Sequence, residues 1–67
     1  MPMGKVKWFN NAKRFGFIIP DDGGRDVFVH VSALEDSGLT KLEDGARIRY
    51  DLGTSRGKTS AINLELV

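Results

Sequence analysis

No apolar run in this 67-residue chain is longer than a short strand, and turn chemistry closes the runs. Side chains alternate between two faces along an extended backbone, so period-two runs of this length read as strands. The first run, Lys5–Asn10, stops at Asn10-Asn11. The second, Phe15–Ile19, stops at Pro20-Asp21-Asp22-Gly23-Gly24, a strong turn signal. The third, Asp26–Val31, alternates Val27, Val29 and Val31 with Phe28 and His30. The fourth, Arg47–Leu52, alternates Ile48, Tyr50 and Leu52 with charge, and Gly53-Thr54-Ser55-Arg56-Gly57 reads as its break. The fifth is Thr59–Val67, with apolar positions beginning at Ala61 or Ile62. Between the third and fourth, Ser32–Gly45 is polar, with room for one helical turn at Ser32-Ala33-Leu34.

Five short strands with one long third connection predict an all-β fold, a small five-stranded antiparallel barrel of the OB-fold type. So small a strand array needs closure to remove exposed edges. An SH3-like barrel is the architectural rival, and composition does not separate the two. Residues 1–67 are expected to form a single domain. A chain this short buries only roughly 60% of its unfolded surface, which leaves no room for a deep catalytic cavity beside a core.

Composition narrows the chemistry. There is no cysteine, hence no disulfide framework and no thiolate zinc site, and one histidine cannot complete a usual zinc site. Gly23-Gly24 lacks the lysine and helix of a phosphate-cradling loop. Asp26, His30 and Ser32 are the only set resembling a hydrolytic triad, and nothing beside them suggests an oxyanion hole. The expectation is a protein that is not an enzyme, with no cofactor, no metal and no small-molecule substrate. No apolar stretch reaches signal-peptide or membrane-helix length, so a cytoplasmic protein without a membrane partner is expected.

Net charge is +1, but its distribution is uneven. Residues 1–14 carry Lys5, Lys7, Lys13 and Arg14 with no acid; residues 47–58 are basic again. Acids concentrate in residues 21–26 and 35–44. A polyanion meets the basic face, not the sum. Five of the six aromatic residues, Trp8, Phe9, Phe15, Phe17 and Phe28, lie in that first basic part or just after it. Alternation puts Phe15, Phe17, Phe28 and His30 on one face, and Ile18, Val27, Val29 and Val31 on the other. With Val6 and Ile48, the aliphatic set suits a barrel interior. The converse, phenylalanine inside and valine outside, would bury His30 with Phe28. Exposed rings beside Lys7, Lys13 and Arg14 suit stacked bases and their phosphates. Strict alternation puts Trp8 with Val6; a bulge nearby would move it to the aromatic face. Phe9 reads equally well as support or surface. Gly16 reads as a site of close backbone approach.

These residues resemble the cold-shock domain family. Lys5-Val6-Lys7-Trp8-Phe9-Asn10 is similar to its opening strand. Lys13-Arg14-Phe15-Gly16-Phe17-Ile18 and Val27-Phe28-Val29-His30-Val31-Ser32-Ala33-Leu34 are similar to its two ribonucleoprotein-type motifs. The resemblance implies a barrel that binds single-stranded RNA and DNA with little sequence preference, acting as an RNA chaperone without ATP. It implies a binding surface of Lys7, Trp8, Phe15, Phe17, Phe28 and His30, with Lys13 at its edge; a monomer is expected. The chain departs from the family pattern at Arg14, where glycine is usual, at Val31 and Leu39, often phenylalanine, and at Lys58, commonly proline. Ordinary backbone is expected at Arg14, with Asn10 and Asn11 absorbing any left-handed geometry, which would make Arg14 an added cation for phosphate contact or stacking.

Overall fold

A computed structural model describes residues 2–67, the side chain of Ser55 excepted. The elements are β1 (Met3–Asn10), β2 (Phe15–Pro20), β3 (Val27–His30), α1 (Val31–Asp36), β4 (Arg47–Ser55) and β5 (Lys58–Leu66). The strands close into a barrel in the order β1-β2-β3-β5-β4. Antiparallel ladders join β1 to β2 and β4, β2 to β3, and β4 to β5, whereas β3 and β5 meet in parallel at Phe28 and Ser60. The barrel is therefore mixed and not wholly antiparallel. The reason is topological: directions cannot alternate all the way round a closed ring with an odd number of strands.

The interior is aliphatic apart from Tyr50, its largest buried side chain. Val6, Ile18, Val29, Leu34, Ile48, Tyr50, Ala61 and Leu64 are buried, with Ala33 and Leu42 completing the core. Burying a side chain such as Ile18 or Leu34 contributes about 1.5–3 kcal/mol relative to exposure. Val27 is half-buried and packs on this core. Val31 is not a strand residue: it opens α1 and is half-buried. The strand ends one residue early because the His30 side chain caps α1 by accepting from the Ser32 N–H. Leu52 keeps the face of Ile48 and Tyr50, opposite the buried Ala61, but is 54% exposed. The β4–β5 register slips between Arg49 and Asp51, where Asn63 and Leu64 together oppose Tyr50. This is a bulge, and Asn63 takes the left-handed conformation it needs, with φ 50°.

The run Gly53-Thr54-Ser55 does not break β4. The ladder continues through Gly53↔Ser60 and Thr54↔Thr59 to Ser55↔Lys58. Arg56 (φ 53°) and Gly57 (φ 77°) alone make the turn. Two successive positive φ values define the type I′ hairpin, whose twist matches that of its strands.

Candidate nucleic-acid interface

The surface begins with an irregularity in β1. Val6 pairs with Ile18 and Trp8 with Phe17, so Lys7 is an extra residue in the ladder. The bulge reverses the phase of the strand. Val6 stays inside, Trp8 turns to the aromatic face, and Phe9 turns back to pack against the core. Three strands then present two cross-strand rows: Trp8–Phe17–Phe28 and Asn10–Phe15–His30. Beneath them runs Phe9–Gly16–Val29. A Cβ on Gly16 would sit 2.7 Å from Phe9 Cα and closer still to the Trp8 carbonyl oxygen. Glycine is what lets β1 and β2 approach under the rings.

Trp8, Phe15, Phe17 and Phe28 are half-buried and His30 is exposed. Trp8 meets Phe17 at 5.3 Å and Phe15 at 5.5 Å between ring centroids, both edge-on. Phe15 stacks on Phe28 at 5.7 Å, and Phe28 meets His30 at 6.4 Å with a tilt of 34°. Edge-to-face pairs of this kind hold one another without covering their outer faces, each worth about 0.5–1.5 kcal/mol beyond burial. The cluster is thus a surface of fixed rings, supported from below by the core.

Arg14 departs from expectation. Its φ is 66°, in the left-handed region, so the backbone there is not ordinary. The β1–β2 connection is one helical turn. Asn10 Oδ1 accepts from the Lys13 N–H at 3.0 Å, and the Asn10 carbonyl accepts from the Arg14 N–H at 2.7 Å. Asn10 is occupied as the acceptor of this turn, and the left-handed position falls on the residue that ends it. The Arg14 carbonyl in turn accepts from the Val31 N–H at 3.0 Å, which pins the conformation.

Charges divide into paired and free. Lys7 Nζ lies 2.8 Å from Asp26 Oδ2. Asp26 therefore meets Lys7, and the triad-like set is reduced to a His30–Ser32 contact. Arg47 makes a bidentate pair with Asp21, at 2.9 and 2.8 Å, and Arg49 pairs with Glu65. Among the described residues Lys13, Arg14, Arg56 and Lys58 enter no ion pair. Lys58 and Thr59 line a hollow with Phe28. The β4–β5 hairpin thus brings Lys58 to the aromatic surface, a neighbour that sequence reasoning left out of the site. Its sequence signal was a lysine where the resembled family commonly has proline.

The model of the 'Cold-shock' DNA-binding domain matches residues 2–67. The chain belongs to the cold-shock domain family. As a cold-shock domain it is a nucleic-acid-binding protein. It is 58% identical over 67 residues to a probable cold shock protein of Sinorhizobium fredii, covering 97% of each chain. It is 54% identical over 66 residues to the cold shock protein CspA of Rhizobium meliloti, covering 96% of each. It is 46% identical over 61 residues to the cold shock-like protein CspE of Escherichia coli, covering 91% of this chain and 88% of the relative. Among its described residues no helix is long and apolar enough to cross a membrane.

Proposed function

We propose that this cold-shock domain is a cytoplasmic, monomeric RNA chaperone that binds single-stranded RNA and DNA with low sequence preference. Residues 1–67 act as one domain. Bases stack on Trp8, Phe15, Phe17, Phe28 and His30, and Lys7, Lys13 and Arg14 meet the phosphates. The observation that carries this reading is the pair of aromatic rows on three adjacent strands, with outer ring faces open. Every base has a π-face, so stacking tolerates sequence, and each stack is worth about 1–3 kcal/mol. Lys13 and Arg14 bring unpaired charge to one end of the rows. Lys7 must exchange Asp26 for a phosphate, so it contributes less than an unpaired cation.

Melting without ATP follows by mass action. A protein that binds only the open form at 100 times its Kd shifts the equilibrium by about 2.7 kcal/mol. Base-pair steps average about 1.4 kcal/mol, so this opens roughly two steps. Marginal hairpins open and long duplexes do not. An RNA hairpin labelled with a fluorophore and a quencher at its ends tests this. Its signal should rise on adding the protein alone when the stem is marginal, and stay flat when the stem is several pairs longer. No rise with the marginal stem contradicts the chaperone role.

A further inference from the structure

His30 does two things at once. Its ring continues the aromatic surface, opposite Phe15 and 6.4 Å from Phe28. Its Nδ1 also caps α1, lying 3.1 Å from the Ser32 backbone nitrogen and 3.0 Å from Ser32 Oγ. A backbone N–H can only donate, so Nδ1 must be the acceptor. A neutral imidazole carries a single N–H, and with Nδ1 accepting that proton is on Nε2.

We infer that Ser32, through its backbone N–H, is a positioning residue that fixes the His30 tautomer, so that His30 presents a single hydrogen-bond donor, Nε2–H, to the bound nucleic acid. The ligand group it selects is an acceptor oxygen, either a base carbonyl or a phosphate. This rests on the aromatic surface being the nucleic-acid interface. The ring arrives at the ligand already oriented, because the capping contact and the neighbouring Phe28 both constrain it. A purely stacking ring at this position would read nothing. A ring with a fixed donor adds a preference to an otherwise tolerant surface.

Two readouts separate this inference from the binding reading itself. Two-bond proton–nitrogen correlation spectra of the free protein should show the His30 proton on Nε2. Ser32→Ala keeps the backbone N–H and should leave the proton on Nε2, whereas Ser32→Pro removes that N–H and should let the two tautomers mix. Nδ1–H in the unaltered protein overturns the inference whether or not nucleic acid binds. So does a tautomer pattern indifferent to Ser32→Pro. The second readout is binding of oligothymidylate. His30→Phe keeps a stackable ring and removes the donor, and should weaken binding roughly three- to tenfold, the worth of one hydrogen bond. The penalty is measured at a temperature where far-ultraviolet circular dichroism shows the variant folded. His30→Asn keeps a cap acceptor and should hold the fold while binding weakens further. With an oligonucleotide of difluorotoluene, a thymine shape without carbonyls, a persisting His30→Phe penalty identifies a phosphate oxygen. Its disappearance identifies a base carbonyl. Equal affinity of His30→Phe and the unaltered protein for oligothymidylate refutes the donor. Failure of the unaltered protein to bind at all overturns the binding reading, and with it the selected ligand group, while the tautomer spectrum still decides the part of Ser32.

Discussion

Arg14→Gly should make the protein more stable and a weaker binder. Arg14 sits at φ 66°, held by the bond from its N–H to Asn10 and the bond to its carbonyl from Val31. The left-handed conformation costs an L-residue about 1–2 kcal/mol, and glycine occupies it freely. Glycine gives back about 0.5–1 kcal/mol through its larger unfolded-state entropy. The net gain is on the order of 0.5–1 kcal/mol, or roughly 2–8 °C in Tm for a fold of this size. On the binding side, Arg14 is exposed and has no ionic partner among the described residues. Losing one exposed phosphate contact of about 0.5–1 kcal/mol weakens binding roughly two- to fivefold. The log–log salt slope should fall by about 0.7 for a single strand. Calorimetric melting and titrations at several salt concentrations read both effects. An unchanged or lower Tm would refute the strain argument. Unchanged affinity and slope would show that the arginine carries no binding role, so that the strain is merely tolerated.

Other perturbations separate surface from core. Phe15→Ala, Phe17→Ala and Phe28→Ala should each weaken single-strand binding by about 1–3 kcal/mol while the barrel survives, as read by titration and circular dichroism. Ile18→Ala should instead cost about 2–5 kcal/mol of stability, since Ile18 is fully buried. That is comparable with the whole stability of so small a fold, about 3–10 kcal/mol, so a folded Ile18 variant beside unfolded phenylalanine variants would invert the assignment of faces. Gly16→Ala should prevent correct pairing of β1 and β2, because its Cβ meets backbone and not a movable side chain; native melting behaviour would contradict the packing under the rings. Burial, then Asp22 and Asp21, raise the Tyr50 phenol above its ordinary pKa of 10.0. The unfolded chain therefore ionises first: this stability is present below about pH 10 and is lost as pH rises through the folded value. Urea midpoints against pH should show that loss, and Tyr50→Phe should remove its share of it.

The alternation of Phe15, Phe17, Phe28 and His30 against Ile18 and Val29 was enough to separate the two faces before any coordinates, because strand periodicity is a local property. The bulge at Lys7 was legible only as a conflict, Trp8 falling on the wrong side of strict alternation. Its position became visible when β1 was paired with β2. Other features depend on partners distant in sequence. The left-handed Arg14 follows from Asn10 serving as the turn's acceptor, and from Val31 holding the Arg14 carbonyl, seventeen positions on. Gly53-Thr54-Ser55 reads locally as a loop, yet it is strand because Thr59 and Ser60 stand opposite. The parallel contact of β3 with β5 is a property of the closed ring, which no single segment encodes. Ile48, Tyr50 and Leu52 do share one face of β4, and Leu52 stands opposite buried Ala61, yet it is exposed; alternation names a face and not its coverage. Lys58 was legible only as a departure from the family pattern, because its proximity to Phe28 arises when the hairpin folds across β3.

The central claim is that the rings bind unpaired bases. Trp8 is the only tryptophan and lies within that surface, so its fluorescence reports binding directly. The decisive measurement titrates the protein with a single-stranded oligonucleotide and with a duplex of the same length at one salt concentration. Stacking requires open base faces, which a duplex hides. Saturable quenching by the single strand and much weaker binding of the duplex are the expected result. Equal affinity for the two would contradict stacking and leave charge as the whole of the interaction.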